Sequence, residues 1–234
     1  MDKTIYTKNK YIWLLSSLGI FLFLAPFRAT DFPGAEFFSS IAYSCILGTA
    51  IFTCRKEKHL LAISAVLSFP AVISYWVHSN HLYSSPEILL ISGSLFYTFY
   101  IFIITREVLR IDHSLYNKLA ASLCTYLMIG IAFTYFYTLL ELKHPGSFSF
   151  PETRVLMELN KESGLPHMFD LMYHSFVTLS TLGYGDIHPR DGLSRMLCIT
   201  EALIGQIYLV VIVAGIISSA SNSHFHLKAK KNKE

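Results

Sequence analysis

The chain has 234 residues, of which 53% are hydrophobic and 15% are charged, and its net charge is +3. Its mean hydropathy is positive, which is unusual for a soluble domain of this size. The composition therefore argues against an ordinary soluble domain and favours a membrane protein, for which we expect membrane lipids and no nucleic acid as partners.

Six nearly uncharged runs follow one another along the chain. Each is long enough to cross a hydrocarbon core of roughly 30 Å as a helix that rises about 1.5 Å per residue. A buried helix of a soluble protein is an alternative for any one run, but six in succession make it a poor one. The runs are Tyr11 to Phe27, Phe37 to Cys54, Leu60 to Val77, Ile88 to Ile104, Leu119 to Leu140 and Met196 to Ile217. We therefore predict an all-α membrane protein with six transmembrane helices.

Most Lys and Arg residues lie before helix one, between helices two and three, between helices four and five, and after helix six. If six helices alternate in direction, all of these segments lie on one side of the membrane. The positive-inside rule then predicts cytoplasmic termini in a multi-pass protein of the cell membrane. A cleavable signal peptide at the N-terminus is an alternative, although its apolar region is rather long for one.

The spacing of the runs divides the chain into three parts. Residues 1–110 contain the first four helices, which are joined by short loops and are predicted to form one bundle. Residues 111–220 contain helices five and six, and the connection between them, from Glu141 to Ser194, is so long that we expect structure or function within it. Residues 221–234 are predicted to form a short basic cytoplasmic tail.

Part of this connection, from His167 to Thr181, is apolar enough for a helix but too short to span a membrane. The glycine-rich sequence L-G-Y-G-D follows it directly. A short helix followed by such a segment is typical of a re-entrant loop, whose non-helical backbone is tolerated where it lines a water-filled cavity.

Alternate glycines permit backbone dihedrals of alternating hand, because the left-handed region is costly for other residues. Gly183 and Gly185 are spaced to supply the left-handed positions. Successive carbonyl groups from Thr181 to Tyr184 would then point in one direction and form a ladder of oxygen atoms, with the Thr181 hydroxyl below them.

The sequence T-L-G-Y-G-D at 181–186 is similar to the selectivity-filter signature of potassium channels. The helix Asp170 to Ser180 resembles the pore helix of that family, and the run E-A-L-I-G-Q-I-Y-L from Glu201 resembles one in small bacterial channels with six helices. The resemblance implies a homotetramer in which four loops surround one axis and carbonyl groups replace the hydration shell of K⁺. It places the pore helix and the selectivity-filter loop between helices five and six. The implied filter residues are Thr181, Leu182, Gly183 and Tyr184, which would bind K⁺, together with Gly185 and Asp186. K⁺ would be the permeant ion, and no cofactor is expected.

The loop also departs from the family pattern. Leu182 stands where valine is commonest, and Tyr173 and His174 stand where many members have tryptophans that brace the filter tyrosine. Val177 stands where some bacterial members have a glutamate that pairs with the filter aspartate. We expect Tyr173, His174 and Val177 to support the filter, and Glu201 to bond the back of the pore helix or of the filter. A water-exposed carboxylate near the outer interface is the alternative for Glu201.

Helix six would line a cavity below the filter. By comparison with the family, Gln206, Leu209 and Val213 share the helical face towards that cavity, although helix packing is an alternative for them. Gly205 and Gly215 are candidates for a gating hinge or for close packing between helices.

Helix four contains no Arg or Lys between Ile88 and Ile104. Moving a unit charge across the membrane supplies about 2.3 kcal/mol per 100 mV, so a voltage sensor needs several charges at depth. We therefore predict passive K⁺ conduction that is not driven by a charged voltage-sensor helix.

Other functions are alternatives. A subunit of a potassium-uptake transporter would be expected to carry four loops in one chain, and a non-conducting accessory membrane protein is a further possibility. His174, Ser175 and Asp186 would supply the groups of a hydrolytic triad, but no nucleophile elbow surrounds the serine, so we predict that the protein is not an enzyme. The four cysteines have unrelated spacings and are interpreted as apolar packing residues, with no metal site.

Overall fold

The computed structural model describes residues 10–28, 34–53, 57–79, 86–109, 115–151 and 167–215. Most of these residues are helical. The helices are α1 (Lys10–Leu24, continued by a 3₁₀ turn Ala25–Arg28), α2 (Ala35–Thr53), α3 (Lys58–Ser79), α4 (Pro86–Val108), α5 (Leu115–Lys143), α6 (Met168–Leu179) and α7 (Gly192–Ile207, continued by a π-helical segment Tyr208–Val213). The short helix expected before the glycine-rich loop is therefore present as α6.

Two short strands add to the predicted all-α architecture. β1 (Phe148–Ser149) pairs antiparallel with β2 (His188–Pro189), so that Phe148 faces Pro189 and Ser149 faces His188. Each strand has only two residues, which is too short to produce an alternating pattern in the sequence. The pair joins the chain after α5 to the chain after the glycine-rich loop.

Several helices have the length and composition of membrane spans. In the described part of the chain five segments qualify: Lys10–Phe27, Lys58–Val77, Pro86–Val108, Leu115–Lys143 and Gly192–Ile212. α2 contains a shorter apolar stretch, Phe37–Thr53. The helices thus fit a multi-pass membrane protein, whereas six spans stay a prediction. The basic segments 1–9, 54–56 and 216–234 lie outside the described residues, and the orientation stays a prediction too.

The first five helices share one apolar core. α1 packs against α2, α2 against α3 and α3 against α4, while α5 contacts both α4 and α1. The buried side chains of this core come from both sides of position 110, for example Tyr97 on α4 and Tyr135 on α5. Gly93 allows these helices to approach closely, because a Cβ atom there would lie 2.4 Å from Cε1 of Tyr135. The four-helix bundle therefore packs directly on α5 of its own chain.

A polar contact joins the beginning of α1 to the end of α4. The Nζ of Lys10 lies 2.6 Å from Oε2 of Glu107, and the Tyr11 hydroxyl donates to the same carboxylate. Both charged side chains are largely buried, so water screens the pair less than it screens an exposed one. This contact fixes the register of the first and fourth helices.

A second apolar core lies around α6. It contains Ile129, Phe133, Tyr137 and Leu140 of α5, Leu171 and Leu179 of α6, Phe148 of β1 and Tyr208 after α7. α7 presents one stripe to this core, since its buried residues are Ser194, Glu201 and Gly205. These residues are spaced by seven and four positions and so share a helical face. The core holds α6 against α5 and α7.

Candidate functional site

The loop 181–186 has backbone dihedrals of alternating hand. Thr181, Gly183 and Gly185 have φ values of +60°, +63° and +77°, and Leu182 and Tyr184 between them are not among the residues with positive φ. A Cβ atom at either glycine would meet nothing within 4 Å, so the backbone conformation and not lack of space requires glycine there. The sequence predicted the two left-handed glycines, but it did not predict the left-handed Thr181.

The C-terminal end of α6 holds the start of this loop. The Val177 carbonyl accepts hydrogen bonds from the amides of Leu182, at 3.0 Å, and Gly183, at 3.4 Å, and the Thr181 amide donates to Thr178. Val177 therefore contacts the loop through its backbone oxygen. These bonds offset part of the cost of about 1–2 kcal/mol that a left-handed non-glycine residue such as Thr181 carries.

The end of α6 is in turn fixed by α5 and α7. The Tyr126 hydroxyl of α5 donates to the Leu179 carbonyl at 3.0 Å. On α7, a Cβ atom at Gly205 would lie 2.6 Å from Cδ1 of Leu179 and 3.2 Å from its carbonyl oxygen. Gly205 is therefore closely packed against Leu179, which lies two residues before the loop.

Two further side chains of α6 lie behind the loop. The Tyr173 ring is nearly parallel to that of Tyr184, with ring centroids 6.5 Å apart. His174 is buried, its Nε2 lies 3.3 Å from Sγ of Cys198, and its ring contacts Phe148. Tyr173 and His174 thus contact different parts of the site: Tyr173 contacts the loop, and His174 contacts α7 and β1.

Glu201 of α7 is completely buried, and its carboxyl group forms hydrogen bonds with α5 and α6. Its Oε2 atom accepts a hydrogen bond from the Tyr137 hydroxyl of α5, and its Oε1 atom contacts the Ser175 hydroxyl of α6. The position is not the water-exposed outer interface that was the alternative for this residue. One carboxyl group therefore connects three helices behind the loop.

A second polar network lies where the chain leaves the loop. The Glu141 carboxylate, at the end of α5, accepts from the amides of Gly146, at 2.7 Å, and Phe148, at 3.0 Å. Asp191 caps α7 by accepting from the Ser194 amide at 2.7 Å, and it also accepts from the Ser147 hydroxyl at 2.7 Å. Together with the β1–β2 pair, these bonds hold the chain that follows the loop against the end of α5.

The charge of Asp191 is stabilised by its hydrogen bonds. The Ser194 amide and then the Ser147 hydroxyl hold the pKa of this carboxyl at about 2, below its ordinary value. The bonds to Asp191 are therefore fully present at neutral pH.

The residues predicted to line the cavity lie further along α7. Gln206 and Leu209 are exposed in the single chain, and Leu209 belongs to the π-helical segment. The side chain of Val213 lies outside the described residues, while Gly215 is exposed and a Cβ atom there would meet nothing within 4 Å. Whether these residues line a cavity or form a hinge stays a prediction.

Sequence reasoning missed most of the supporting residues. Tyr137, Ser175, Glu141 and Asp191 were not proposed for the site. A signal was present in α5, because Gly130, Thr134, Tyr137 and Glu141 recur at spacings of three or four and share one face of an otherwise apolar helix. Polar and small residues on one face of a membrane helix indicate helix contacts.

In the part of the chain that the structure describes, no group of three His, Cys, Asp or Glu side chains is placed to hold a metal ion.

Comparison with known proteins places the chain in context. Residues 122–222, which run from α5 to beyond α7, match the family model described as an ion channel. A protein of Rhodopseudomonas palustris named as a potassium channel protein is 37% identical over 57 residues, which are 24% of this chain and 14% of that protein. The two pore potassium channel c of Oryza sativa subsp. japonica is 30% identical over 106 residues, 45% of this chain and 19% of the relative.

The chain covers less than a fifth of the length of either relative. No solved structure matches it significantly. The matches point to a channel and not to an enzyme, and the family match includes the described loop, α6, α7 and most of α5. Residues 122–222 are thus similar to an ion channel family, and both relatives that match part of the chain are named as potassium channels.

Proposed function

We propose that the protein is a K⁺-selective channel, in which the loop 181–186 of four identical chains forms the selectivity filter. The observation that carries the proposal is the alternation of hand at Thr181, Gly183 and Gly185. This backbone orients successive carbonyl groups towards one axis, where they replace the water around K⁺. The ion passes down its electrochemical gradient by exchange between neighbouring sites, without a cofactor.

A single loop cannot surround an ion, so other copies must complete the filter. In the single chain Leu182 is 56% exposed and Tyr184 is 67% exposed, although both are large apolar or aromatic residues. On α7, Leu203 is 56% exposed and lies on the face opposite the buried stripe. A homotetramer would cover the filter side chains and part of α7 with neighbouring copies.

The remaining helices fit this function. In our proposal α1 to α5 and α7 are the six spans, both termini are cytoplasmic, and α6 is the pore helix that enters from outside. Between Ile88 and Thr105, α4 has no charged side chain, so the bundle would not sense voltage through this helix.

Ion flux tests the proposal. Purified protein is placed in K⁺-loaded liposomes, and K⁺ efflux is compared with Na⁺ flux for the wild type, Gly183→Ala and Gly192→Ala. Gly192 is the matched control, because a Cβ atom there meets nothing within 4 Å and its φ is not positive. We expect selective K⁺ flux in the wild type and in Gly192→Ala.

For Gly183→Ala we expect loss of flux or of selectivity, because a left-handed alanine costs about 1–2 kcal/mol in each chain. Equal K⁺ and Na⁺ flux, or an unaffected Gly183→Ala variant, would contradict the proposal. An absence of K⁺ flux at every pH, voltage and lipid composition tested would favour a non-conducting accessory protein.

A further inference from the structure

Glu201 has more hydrogen-bond partners than its ionised form can satisfy. The Ser175 hydroxyl lies 2.7 Å from the carbonyl oxygen of Gly130 and also within hydrogen-bond distance of Oε1 of Glu201. A carbonyl oxygen and a carboxylate oxygen both only accept, and a serine hydroxyl has a single proton to donate. With Glu201 ionised, one of these two close contacts would join two oxygen atoms without a proton between them.

A proton on Oε1 of Glu201 satisfies every group in the cluster. The carboxylic acid then donates to Oγ of Ser175, and Ser175 donates to the Gly130 carbonyl. The Tyr137 hydroxyl donates to Oε2, the other carboxyl oxygen. The result is a continuous chain of donors from Glu201 of α7 through Ser175 of α6 to Gly130 of α5, in a place that water does not reach.

The surroundings of Glu201 favour the same conclusion. It is 0% exposed, and in the described part of the chain no Lys or Arg is paired with it. The titratable groups beside it are Tyr126 and Tyr137 of α5 and Cys198 of α7, with His174 of α6 one contact further away. The imidazole Nε2 of His174 contacts Cys198. An ionised carboxylate buried among neutral groups is costly, whereas a neutral one with satisfied hydrogen bonds is not.

We propose that Glu201 is a positioning residue that acts as a neutral carboxylic acid and donates its proton to Ser175, fixing α6 between α5 and α7. The proposal rests on the function proposed above, since α6 leads directly into the filter. Because Glu201 is neutral in this proposal, it does not attract K⁺ by a negative charge. Loss of the proton at alkaline pH would place two acceptors against Ser175, loosen α6 and lower conduction.

Substitution separates hydrogen bonding from charge. In Glu201→Gln the amide group can donate to Ser175 and its carbonyl can accept from Tyr137, whereas Glu201→Ala leaves both hydroxyls without this partner. We expect K⁺ flux in the full-length protein to fall about ten-fold or more for Glu201→Ala, and Glu201→Gln to restore most of it. Alkaline pH is expected to lower flux in the wild type but not in Glu201→Gln, where Tyr126, Tyr137, His174 and Cys198 are unchanged.

An infrared difference spectrum tests the protonation state independently of conduction. The spectrum of the wild type minus that of Glu201→Gln at neutral pH is expected to contain the band of a protonated carboxyl group. Absence of this band, or a Glu201→Gln protein that assembles as the wild type does yet conducts no better than Glu201→Ala, would overturn the proposal. If the wild type conducts no K⁺ while the band is present, the proposed channel function fails and the protonated Glu201 stands.

Discussion

α5 and α7 are both long apolar helices with the same mean hydropathy, but the chain buries them very differently. In the apolar stretch of α5 72% of the residues are buried, whereas in Gly192–Ile212 the share is 17%. α5 contacts α1, α4, α6 and α7, while α7 contacts its own chain through one stripe. Hydropathy therefore identifies a membrane helix but does not show what covers it. In our account the rest of its own chain covers most of α5, and other copies of the chain cover much of α7.

The largest effect is expected from adding volume to the exposed face of α7. Leu203→Trp would insert a larger side chain where we propose that a neighbouring copy packs, and overpacking costs about 1–3 kcal/mol at each such contact. Because the contact recurs in every copy, we expect the tetramer to dissociate in native mass measurements.

Phe69→Trp on α3 is the matched control for Leu203→Trp. Phe69 is 69% exposed on a helix that we expect to face lipid, so its substitution should leave assembly intact. If both variants dissociate to the same extent, or neither does, Leu203 on α7 is no more part of a subunit interface than Phe69 on α3.

A substitution on α5 is expected to lower the stability of the folded chain and not the assembly of the tetramer. A Cβ atom at Gly130 would lie 2.8 Å from Cε1 of Phe176 on α6, and a packed ring can move little. We expect Gly130→Ala to lower the free energy of unfolding by about 1–3 kcal/mol. Thermal unfolding in detergent measures the change, and Gly48→Ala, where a Cβ atom meets nothing within 4 Å, is the control. Equal stability of the two variants would show that α5 and α6 are less closely packed than described.

A smaller effect is expected from Asp191, whose hydrogen bonds join the start of α7 to the turn after α5. The pKa of Asp191 is lowered to about 2 by its bonds to Ser194 and Ser147, so its stabilising effect is present above the ordinary pKa of about 4 and is lost as pH falls towards 2. We expect Asp191→Asn to unfold at a slightly lower temperature than the wild type at neutral pH. The difference should vanish near pH 2. A difference in unfolding temperature that does not depend on pH would contradict an ionised Asp191 at this position.

The smallest effect is expected from voltage. Because α4 has no charged side chain between Ile88 and Thr105, conductance should vary only weakly with voltage. Recordings across a planar bilayer would check this. A steep conductance–voltage curve that substitutions in α4 abolish would be inconsistent with the role we give the bundle.

The loop and its helix could be predicted from the sequence because their signals are local. The hand of Gly183 and Gly185 follows from their spacing, and the apolar character and length of α6 follow from 15 consecutive residues, 167–181. The left-handed Thr181 has no such signal, since its conformation depends on bonds from the end of α6. Residue type alone predicts the opposite for threonine.

The support of the loop could not be predicted, because it joins residues that are distant in the sequence. Glu201 was expected to bond the back of the pore helix or of the filter, but its partners Ser175 and Tyr137, which lie 26 and 64 positions away, were not identified. The bonds of Ser147 to Asp191 depend on the turn that follows α5. Such contacts follow from the packing of α5, α6 and α7, which hydrophobic periodicity does not specify.

The reversal potential of the reconstituted protein tests the central claim most directly. With K⁺ on one side of a planar bilayer and Na⁺ on the other, we predict a current that reverses close to the K⁺ equilibrium potential, and loss of this selectivity in Gly183→Ala but not in Gly192→Ala. A current that does not distinguish K⁺ from Na⁺ in the wild type would contradict a K⁺-selective filter at 181–186.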